Sequence, residues 1–251
     1  MDTKTLEVVH GVRNHEGIAR ARRSLETDGY VYTNDAALGL PSHLHRHIDA
    51  QFFERSTLGP EVAGVPPRDR LRTRDVVEYR RKSGSLVLRE HSTNDMRAVA
   101  DSAGAREYKR VLTLDDPMLV AWMSTLLMLI PPEEQLTSGV IGMNFVRTFT
   151  DLVGWKHQDG EEFSCVYVTA REGGGACTSL HPIDDPDETL FDVVLMPGDW
   201  LVFRDRDFKH GASPLEPRSE GEKPHRDAIV ALVHYAESRP GAASKSNTLE
   251  H

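Results

Sequence analysis

Apolar residues are arranged differently in the two halves of the chain. Up to about residue 138, apolar segments are typical of helices mixed with a few strands, whereas after Gly139 they are short and separated by turn residues. The most apolar helix is predicted to begin at Asp115-Asp116-Pro117 and to end before Pro131-Pro132. It is shorter than the roughly 20 residues that a membrane span needs, so we expect it to be buried in the protein.

The rest of the first half combines helices, strands and one long loop. The segments NHEGIARARRSLETDGY and PSHLHRHIDAQFFERS predict helices, the first ending at Asp28-Gly29 and the second reaching about Arg55. YVYT predicts a strand, and VVEYRRKSGSLVLREH predicts a hairpin that turns at Ser83-Gly84. The stretch from about Gly59 to Asp75 is rich in proline, glycine and charge, which predicts a loop.

The second half is predicted to be β-rich. Its strand-like segments are VIGMNFVRTFT, FSCVYVTAR, ACTSLHPI, LFDVVLM, DWLVFR and DAIVALVHYA. Short strands at this spacing predict a barrel or a double-sheet jelly roll. We therefore expect one domain over residues 1–236, mainly β with N-terminal helices, in which residues 1–138 are helix-rich and about 139–236 form the β core. Residues 237–251 are expected to be a disordered tail that ends in a cloning-site and tag remnant.

Charge and cysteine content indicate which kinds of partner and which cellular compartment to expect. The chain has 251 residues and a formal net charge of -9, which disfavours nucleic acid as the main partner because phosphate binding needs a basic face. Its two cysteines, Cys165 and Cys177, form no CxxC motif and are expected to be reduced thiols of a cytoplasmic protein. The start, MDTKTLEVVH, is too polar for a secretory signal.

A histidine and an aspartate two residues apart, His157 and Asp159, follow a predicted strand. On an extended strand they would face the same side and could hold one ion together. His210, placed after a strand and at the start of a turn, is the best third ligand. Two histidines and one carboxylate leave three octahedral positions open, as non-haem Fe(II) oxygenases require. Zinc hydrolases use the same residue types with fewer open positions.

Several further residues are candidates for binding anions or substrate. Arg226 begins an apolar strand, where a guanidinium is costly unless it meets an acid, either a co-substrate carboxylate or a neighbour such as Asp227. Arg147 and Arg171 could each meet a substrate carboxylate or form a structural ion pair. Trp155 could line the pocket or pack in the core.

Two other patterns favour structural interpretations. The histidines at positions 43, 45 and 47 lack the glutamate of a zinc-protease motif, so an exposed helix face is expected. The run Gly173-Gly174-Gly175 lacks the lysine and helix of a phosphate loop, so it predicts a tight turn.

The order His-x-Asp, His, Arg resembles that of Fe(II)/2-oxoglutarate-dependent dioxygenases. The segments HQDG, AREGGG, MPGDWLVFRDRDFKHGASP and HRDAIVALVHY are similar to those of the bacterial group that includes the isoleucine hydroxylase and related free-amino-acid hydroxylases. The resemblance covers Gly139 to about Tyr235. It departs from the wider superfamily at Ala228, where many relatives have serine, so the second contact to the co-substrate is left unassigned.

The resemblance implies a fold, a set of ligands and a reaction. The fold would be a distorted double-stranded β-helix, a jelly-roll or cupin-like core. His157, Asp159 and His210 would bind Fe(II), and Arg226 would bind 2-oxoglutarate. With O2, and with ascorbate as reductant in vitro, the enzyme would hydroxylate an aliphatic C–H of a free L-amino acid or close derivative and release succinate and CO2. Loops of the first half, such as Gly59 to Asp75, would select the substrate.

Other functions are compatible with the same residues. The same cofactor chemistry could give desaturation or cyclisation in natural-product biosynthesis. A jelly-roll module without enzymatic activity could bind a small ligand or a partner protein. A zinc or manganese enzyme without 2-oxoglutarate is disfavoured by Arg226, and an oxygenase of nucleic acid or protein by the acidic charge. The expected partners are a small-molecule amino acid and, in a homodimer, a second copy of the chain; no membrane is expected.

Overall fold

Antiparallel β-sheet dominates the structure, a computed structural model that describes residues 4–9, 14–54, 57–60, 70–91, 109–149 and 156–235. The helices are α1 His15–Asp28, α2 Leu44–Phe52 and α3 Pro117–Leu129. The strands are β1 Thr5–Val9, β2 Tyr30–Asn34, β3 Gly59–Pro60, β4 Arg70–Lys82, β5 Ser85–Glu90, β6 Ser138–Thr148, β7 Phe163–Glu172, β8 Gly174–Gly175, β9 Cys177–Pro182, β10 Phe191–Val194, β11 Asp199–Arg204, β12 Phe208–Ala212, β13 Leu215–Glu216 and β14 His225–His234. The tail predicted to be disordered lies outside the described residues.

Two sheets form the framework of the molecule. The large sheet has the order β1-β5-β4-β6-β14-β7-β11-β2, with β3 paired to β4, and the small sheet has the order β10-β9-β12. A single antiparallel bridge between His157 and His210 extends the small sheet beyond β12. This arrangement confirms the predicted fold class, a mainly β protein with a double-stranded β-helix core.

The two faces of the large sheet bury different neighbours. Helices α1 to α3 cover one face, where Trp122 stacks on Trp200 with ring centroids 4.8 Å apart. The small sheet packs against the other face through a separate apolar cluster that includes Leu180, Phe203 and Ala228. Successive residues of a strand point to opposite faces. Central strands such as β14 are therefore buried on both sides and are apolar over most of their length.

The predicted loop from Gly59 to Asp75 is partly wrong. Arg70 to Asp75 form the first half of β4 and pair with β6, and Gly59–Pro60 pair with Arg72 and Leu71. The segment RLRTRD alternates with a period of two, which is a strand signal that its high charge obscures. Residues 61–69 lie outside the described part of the chain.

Other predicted elements are confirmed. The hairpin of β4 and β5 turns at Gly84, whose φ of 78° is readily adopted by glycine. Helix α3 begins after Asp116 and ends before Pro131, as expected. Within the described residues, none of the helices has the length and apolar character required to cross a membrane.

The N-terminal cap of α3 provides a test of this framework. The Asp116 carboxylate accepts hydrogen bonds from the backbone N–H groups of Met118 and Leu119, both at 2.9 Å, and lies 2.6 Å from His47 Nε2. We expect Asp116→Ala to lower the free energy of unfolding by about 1–2 kcal/mol in urea titrations, because the cap is lost. Asp115→Ala, which removes an exposed carboxylate one residue earlier, should cost less than about 0.5 kcal/mol. Equal losses in both variants would contradict this role of the cap.

Candidate metal centre

His157, Asp159 and His210 converge on one point. Each offers a ligand atom, and these atoms all lie within 4.8 Å of one another. His157 Nε2 is 3.8 Å from Asp159 Oδ1, and His210 Nε2 is 3.4 Å from Asp159 Oδ2. The two imidazole ring centroids are 4.2 Å apart. The structure thus brings together the three side chains that the sequence placed in one metal site.

The local backbone differs from the predicted one. His210 lies in the middle of β12, not in a turn after a strand, and is paired with Leu180 of β9. His157 forms only an isolated bridge, in which its N–H donates to His210 O at 3.0 Å and its carbonyl accepts from His210 N at 2.9 Å. Asp159 lies in the following turn. Regular strand geometry therefore does not explain why His157 and Asp159 face each other.

A buried carboxylate holds this turn. Asp205 accepts hydrogen bonds from the backbone N–H groups of Asp159, Gly160 and Glu161 at 3.1, 2.6 and 3.1 Å. Its own carbonyl accepts from Gln158 Nε2 at 2.8 Å. Asp205 is not predicted from the sequence, because nothing in the run RDRD distinguishes it from Asp207, a partly exposed aspartate two residues later.

The electrostatics of the cluster suit a metal ion. Burial lowers the pKa of His210 to about 4, although the negative charge of Asp159 opposes the shift. The imidazole is therefore neutral near pH 7 and keeps a ring nitrogen lone pair for a metal. Two imidazole nitrogens and one carboxylate are the donor set typical of non-haem Fe(II) sites. The residues present thus fit an Fe(II) ion.

Arg226 lies on the side of the large sheet that faces the small sheet. It is buried, and its Nη1 donates to Thr178 Oγ1 of β9 at 3.2 Å. Its buried Nε has no hydrogen-bond partner among the described residues. Burial and the nearby Arg171 lower its pKa to about 10, so the guanidinium still carries its charge at neutral pH. A buried cation with a single neutral partner is incomplete without an anion, so Arg226 fits a carboxylate ligand.

The alternative partner for Arg226, Asp227, is excluded by the strand geometry. Asp227 points to the opposite face, where its carboxylate is fully buried and accepts from Arg147 Nε at 2.8 Å and also from Arg147 Nη2. Burial raises the pKa of Asp227 to about 7, although the hydrogen bonds from Arg147 oppose the shift. The substrate-binding role suggested for Arg147 is therefore not supported, since its guanidinium serves a structural ion pair.

Loss of this ion pair should destabilise the protein strongly. We expect Arg147→Ala to lower the free energy of unfolding by about 3–5 kcal/mol, because it leaves the Asp227 carboxylate buried and uncompensated. The matched control is Arg89→Ala, which removes an arginine paired with Glu78 at the surface and should cost about 1 kcal/mol or less. An Arg147→Ala protein as stable as the control, with a raised Michaelis constant for substrate, would restore the substrate-binding assignment.

Arg171 and Trp155 are the other two residues that the sequence suggested for substrate binding. Arg171 donates to the carbonyls of Leu195, Gly173 and Gly175 and so braces the glycine run. Its substrate-binding role is therefore not supported either. The predicted tight turn is only partly correct: Gly173 forms a bend with a φ of 90°, but Gly174–Gly175 form β8, which pairs with β13. Trp155 lies outside the described residues.

The histidines of α2 do not share a site. His45 Nδ1 is 3.7 Å from Asp35 Oδ2, whereas His47 Nε2 approaches Asp116 of α3. Each of these two imidazoles faces a different carboxylate, so they form no shared metal site, but both are partly buried and do not lie on the predicted exposed helix face. His43 is exposed at the start of the helix.

A double-stranded β-helix with a His-x-Asp and a distant histidine in one cluster defines a mononuclear non-haem iron oxygenase. Residues 67–232 match the family model described as 2OG-Fe dioxygenase. The chain belongs to this family and is an oxidoreductase whose chemistry uses Fe(II), 2-oxoglutarate and O2. No match was found among curated proteins.

Solved structures support the fold assignment. A bsmA homolog from Methylobium petroleophilum PM1 aligns over 88% of this chain and 94% of its own, at 20% identity and a TM-score of 0.70. IDO from Bacillus thuringiensis aligns over 88% and 96%, at 15% identity and a TM-score of 0.65. The Fe(II)/(alpha)ketoglutarate-dependent dioxygenase TqaL aligns over 91% of both chains, at 14% identity and a TM-score of 0.66. At these identities the likeness concerns the fold.

Proposed function

We propose that this protein hydroxylates an aliphatic C–H bond of a free L-amino acid or a close derivative. The observation that carries the proposal is the His157, Asp159 and His210 cluster together with the buried, incompletely bonded Arg226. Both lie between the two sheets. Arg226 contacts Thr178 of β9, and His210 is paired with Leu180, two residues further along the same strand.

The three clustered residues would hold the metal. Bound Fe(II) supplies the means to use O2 and 2-oxoglutarate for C–H oxidation, with succinate and CO2 as the co-products. His157, Asp159 and His210 would hold the ion and would leave positions open for small molecules. The Phe203 ring packs against His210, with centroids 4.9 Å apart, and helps to fix the imidazole and exclude water.

Arg226 and Thr178 would bind the distal carboxylate of 2-oxoglutarate. The guanidinium offers two parallel N–H donors, and the Thr178 hydroxyl next to it offers a further one. Thr178 would therefore replace the serine that is absent at Ala228. Ala228 is buried in the apolar cluster between the sheets, and this cluster would exclude water from the region beside the Arg226 guanidinium.

The inner face of β4 favours a substrate with a carboxylate. Arg70 is paired with Thr148 of β6, which is paired with Arg226 of β14, so these residues lie on one face, and Arg72 and Arg74 continue the row. Two strand spacings separate the row from β14, about 10 Å. These arginines replace Arg147 and Arg171 as candidates for recognising the carboxylate of an amino acid.

A substrate screen tests the proposal. The purified protein is incubated with Fe(II), ascorbate, 2-oxoglutarate and each common L-amino acid, and products are analysed by mass spectrometry. We expect one or a few amino acids to gain the mass of one oxygen atom, with stoichiometric succinate. The matched amine that lacks the carboxylate should not react. Loss of two hydrogens would indicate desaturation or cyclisation, and absence of any modified amino acid would contradict the substrate class.

Two further predictions from the sequence await their own measurements. A cytoplasmic location stays a prediction from the cysteine usage. A homodimer would be seen by sedimentation of the purified protein.

A further inference from the structure

Asp205 is a buried acid whose carboxylate accepts hydrogen bonds from three consecutive backbone N–H groups. Its side chain is 1% exposed, in the short 3-10 turn between β11 and β12. Every hydrogen bond that the structure gives its carboxylate comes from the backbone of the segment that carries Asp159. Asp205 therefore connects the segment just before β12, the strand of His210, to the turn that carries Asp159.

The turn at Asp159 is a backbone nest around this carboxylate. Consecutive N–H groups point at one anion when the chain alternates between right- and left-handed conformations. Gly160, with φ of 80°, supplies the left-handed residue. The N–H of Asp159 reaches Oδ1, and those of Gly160 and Glu161 reach Oδ2. The direction in which the Asp159 side chain projects from the turn thus depends on the carboxylate of Asp205.

The same carboxylate faces the second histidine. Asp205 Oδ1 is 3.8 Å from His210 Nδ1, a buried atom that has no hydrogen-bond partner among the described residues. The other ring nitrogen, Nε2, faces Asp159 at 3.4 Å. A carboxylate beside Nδ1 favours the tautomer with the proton on Nδ1, which leaves Nε2 free to bind a metal.

We propose that Asp205 is a positioning residue of the metal centre, which orients Asp159 through the backbone of the turn and His210 through Nδ1. The proposal rests on the proposed metal-binding role of His157, Asp159 and His210. Outer carboxylates of this kind change metal affinity by about 10–100-fold when they are replaced. Asp205 therefore acts on binding of the ion, without touching it.

The test is metal binding by Asp205→Asn, measured with Mn(II) by titration calorimetry on the full-length protein. The amide keeps the size of the side chain but cannot accept hydrogen bonds on both sides. We expect about 10–100-fold weaker Mn(II) binding, with the Michaelis constant for 2-oxoglutarate unchanged at saturating Fe(II). The control is Asp207→Asn in the same turn, where the aspartate is partly exposed and faces Arg204 and Arg206. This variant should bind Mn(II) like the wild type.

The outcomes separate three cases. Wild-type Mn(II) affinity in a folded Asp205→Asn protein, with only a lower melting temperature, would overturn the positioning role. Failure of the unmodified protein to bind Mn(II) would instead overturn the proposed metal centre. If Asp205→Asn does not fold by circular dichroism, Asp205→Glu takes its place, because it keeps the charge but displaces the carboxylate relative to the backbone N–H groups of the turn. Weaker Mn(II) binding in that variant supports the proposal, and unchanged binding overturns it.

Discussion

Replacement of Asp159 by alanine is expected to abolish iron-dependent succinate formation while the fold persists. Asp159 supplies the carboxylate of the cluster, and its oxygens approach both His157 and His210. Without it two imidazoles remain and the cluster loses its anionic ligand, so Fe(II) binding should be strongly weakened. The side chain is partly exposed and belongs to neither apolar cluster, so its loss should leave the core intact. Succinate release and circular dichroism measure the two effects.

The control for this variant is Asp207→Ala, which removes a carboxylate close in sequence to His210 but directed towards Arg204 and Arg206. It should retain wild-type turnover. An Asp159→Ala protein with full activity would refute the metal assignment. Equal loss of activity in both variants would point to damage of the whole turn region.

Replacement of Arg226 by alanine is expected to raise the apparent Michaelis constant for 2-oxoglutarate by at least about 30-fold. Loss of one partner of a buried, hydrogen-bonded charge pair costs about 2–5 kcal/mol, and 1.4 kcal/mol corresponds to a factor of ten. In the unliganded protein the hydrogen-bond partner of Arg226 among the described residues is the neutral Thr178 hydroxyl, so stability should change much less than co-substrate binding. The measurement is succinate formation against 2-oxoglutarate concentration, with a melting curve beside it.

Arg226→Lys distinguishes charge from geometry at this position. Lysine keeps the charge but lacks the planar pair of donors, so an intermediate Michaelis constant is expected. Thr178→Val should have a smaller effect in the same direction, because it removes one neutral hydroxyl. An unchanged constant in Arg226→Ala would remove the anchoring role and reopen the choice of co-substrate.

The sequence predicted the ligands better than the geometry that holds them. The order of His157, Asp159 and His210 along the chain is a strong pattern, because chemistry restricts which residue types can bind the ion. Regular strand spacing was a wrong explanation for His157 and Asp159, whose turn is shaped by Asp205 instead. That contact joins two segments that are separated along the chain by five strands, β7 to β11, so no local pattern reveals it.

The pairing of charged residues shows a different limit of prediction from the sequence. Arg226 and Asp227 are adjacent and must face opposite sides of β14, but the sequence does not say which strand supplies a partner to each. The register of β6 against β14 places Arg147 opposite Asp227. The charged start of β4 was likewise not recognised as a strand from the sequence. The alternation in RLRTRD becomes informative only when its partner strand, β6, is known.

The pairing of β4 with β6 has a practical consequence for protein engineering. The residues before Gly139 look separable in sequence, yet β4 is hydrogen-bonded to β6 from Arg70 to Arg80, in the same sheet as the catalytic half. A chimera joined at this boundary would have to rebuild a complete interstrand ladder between unrelated parents. Altered selectivity is better sought by point replacement of the arginines on the inner side of β4, which leaves the backbone ladder untouched.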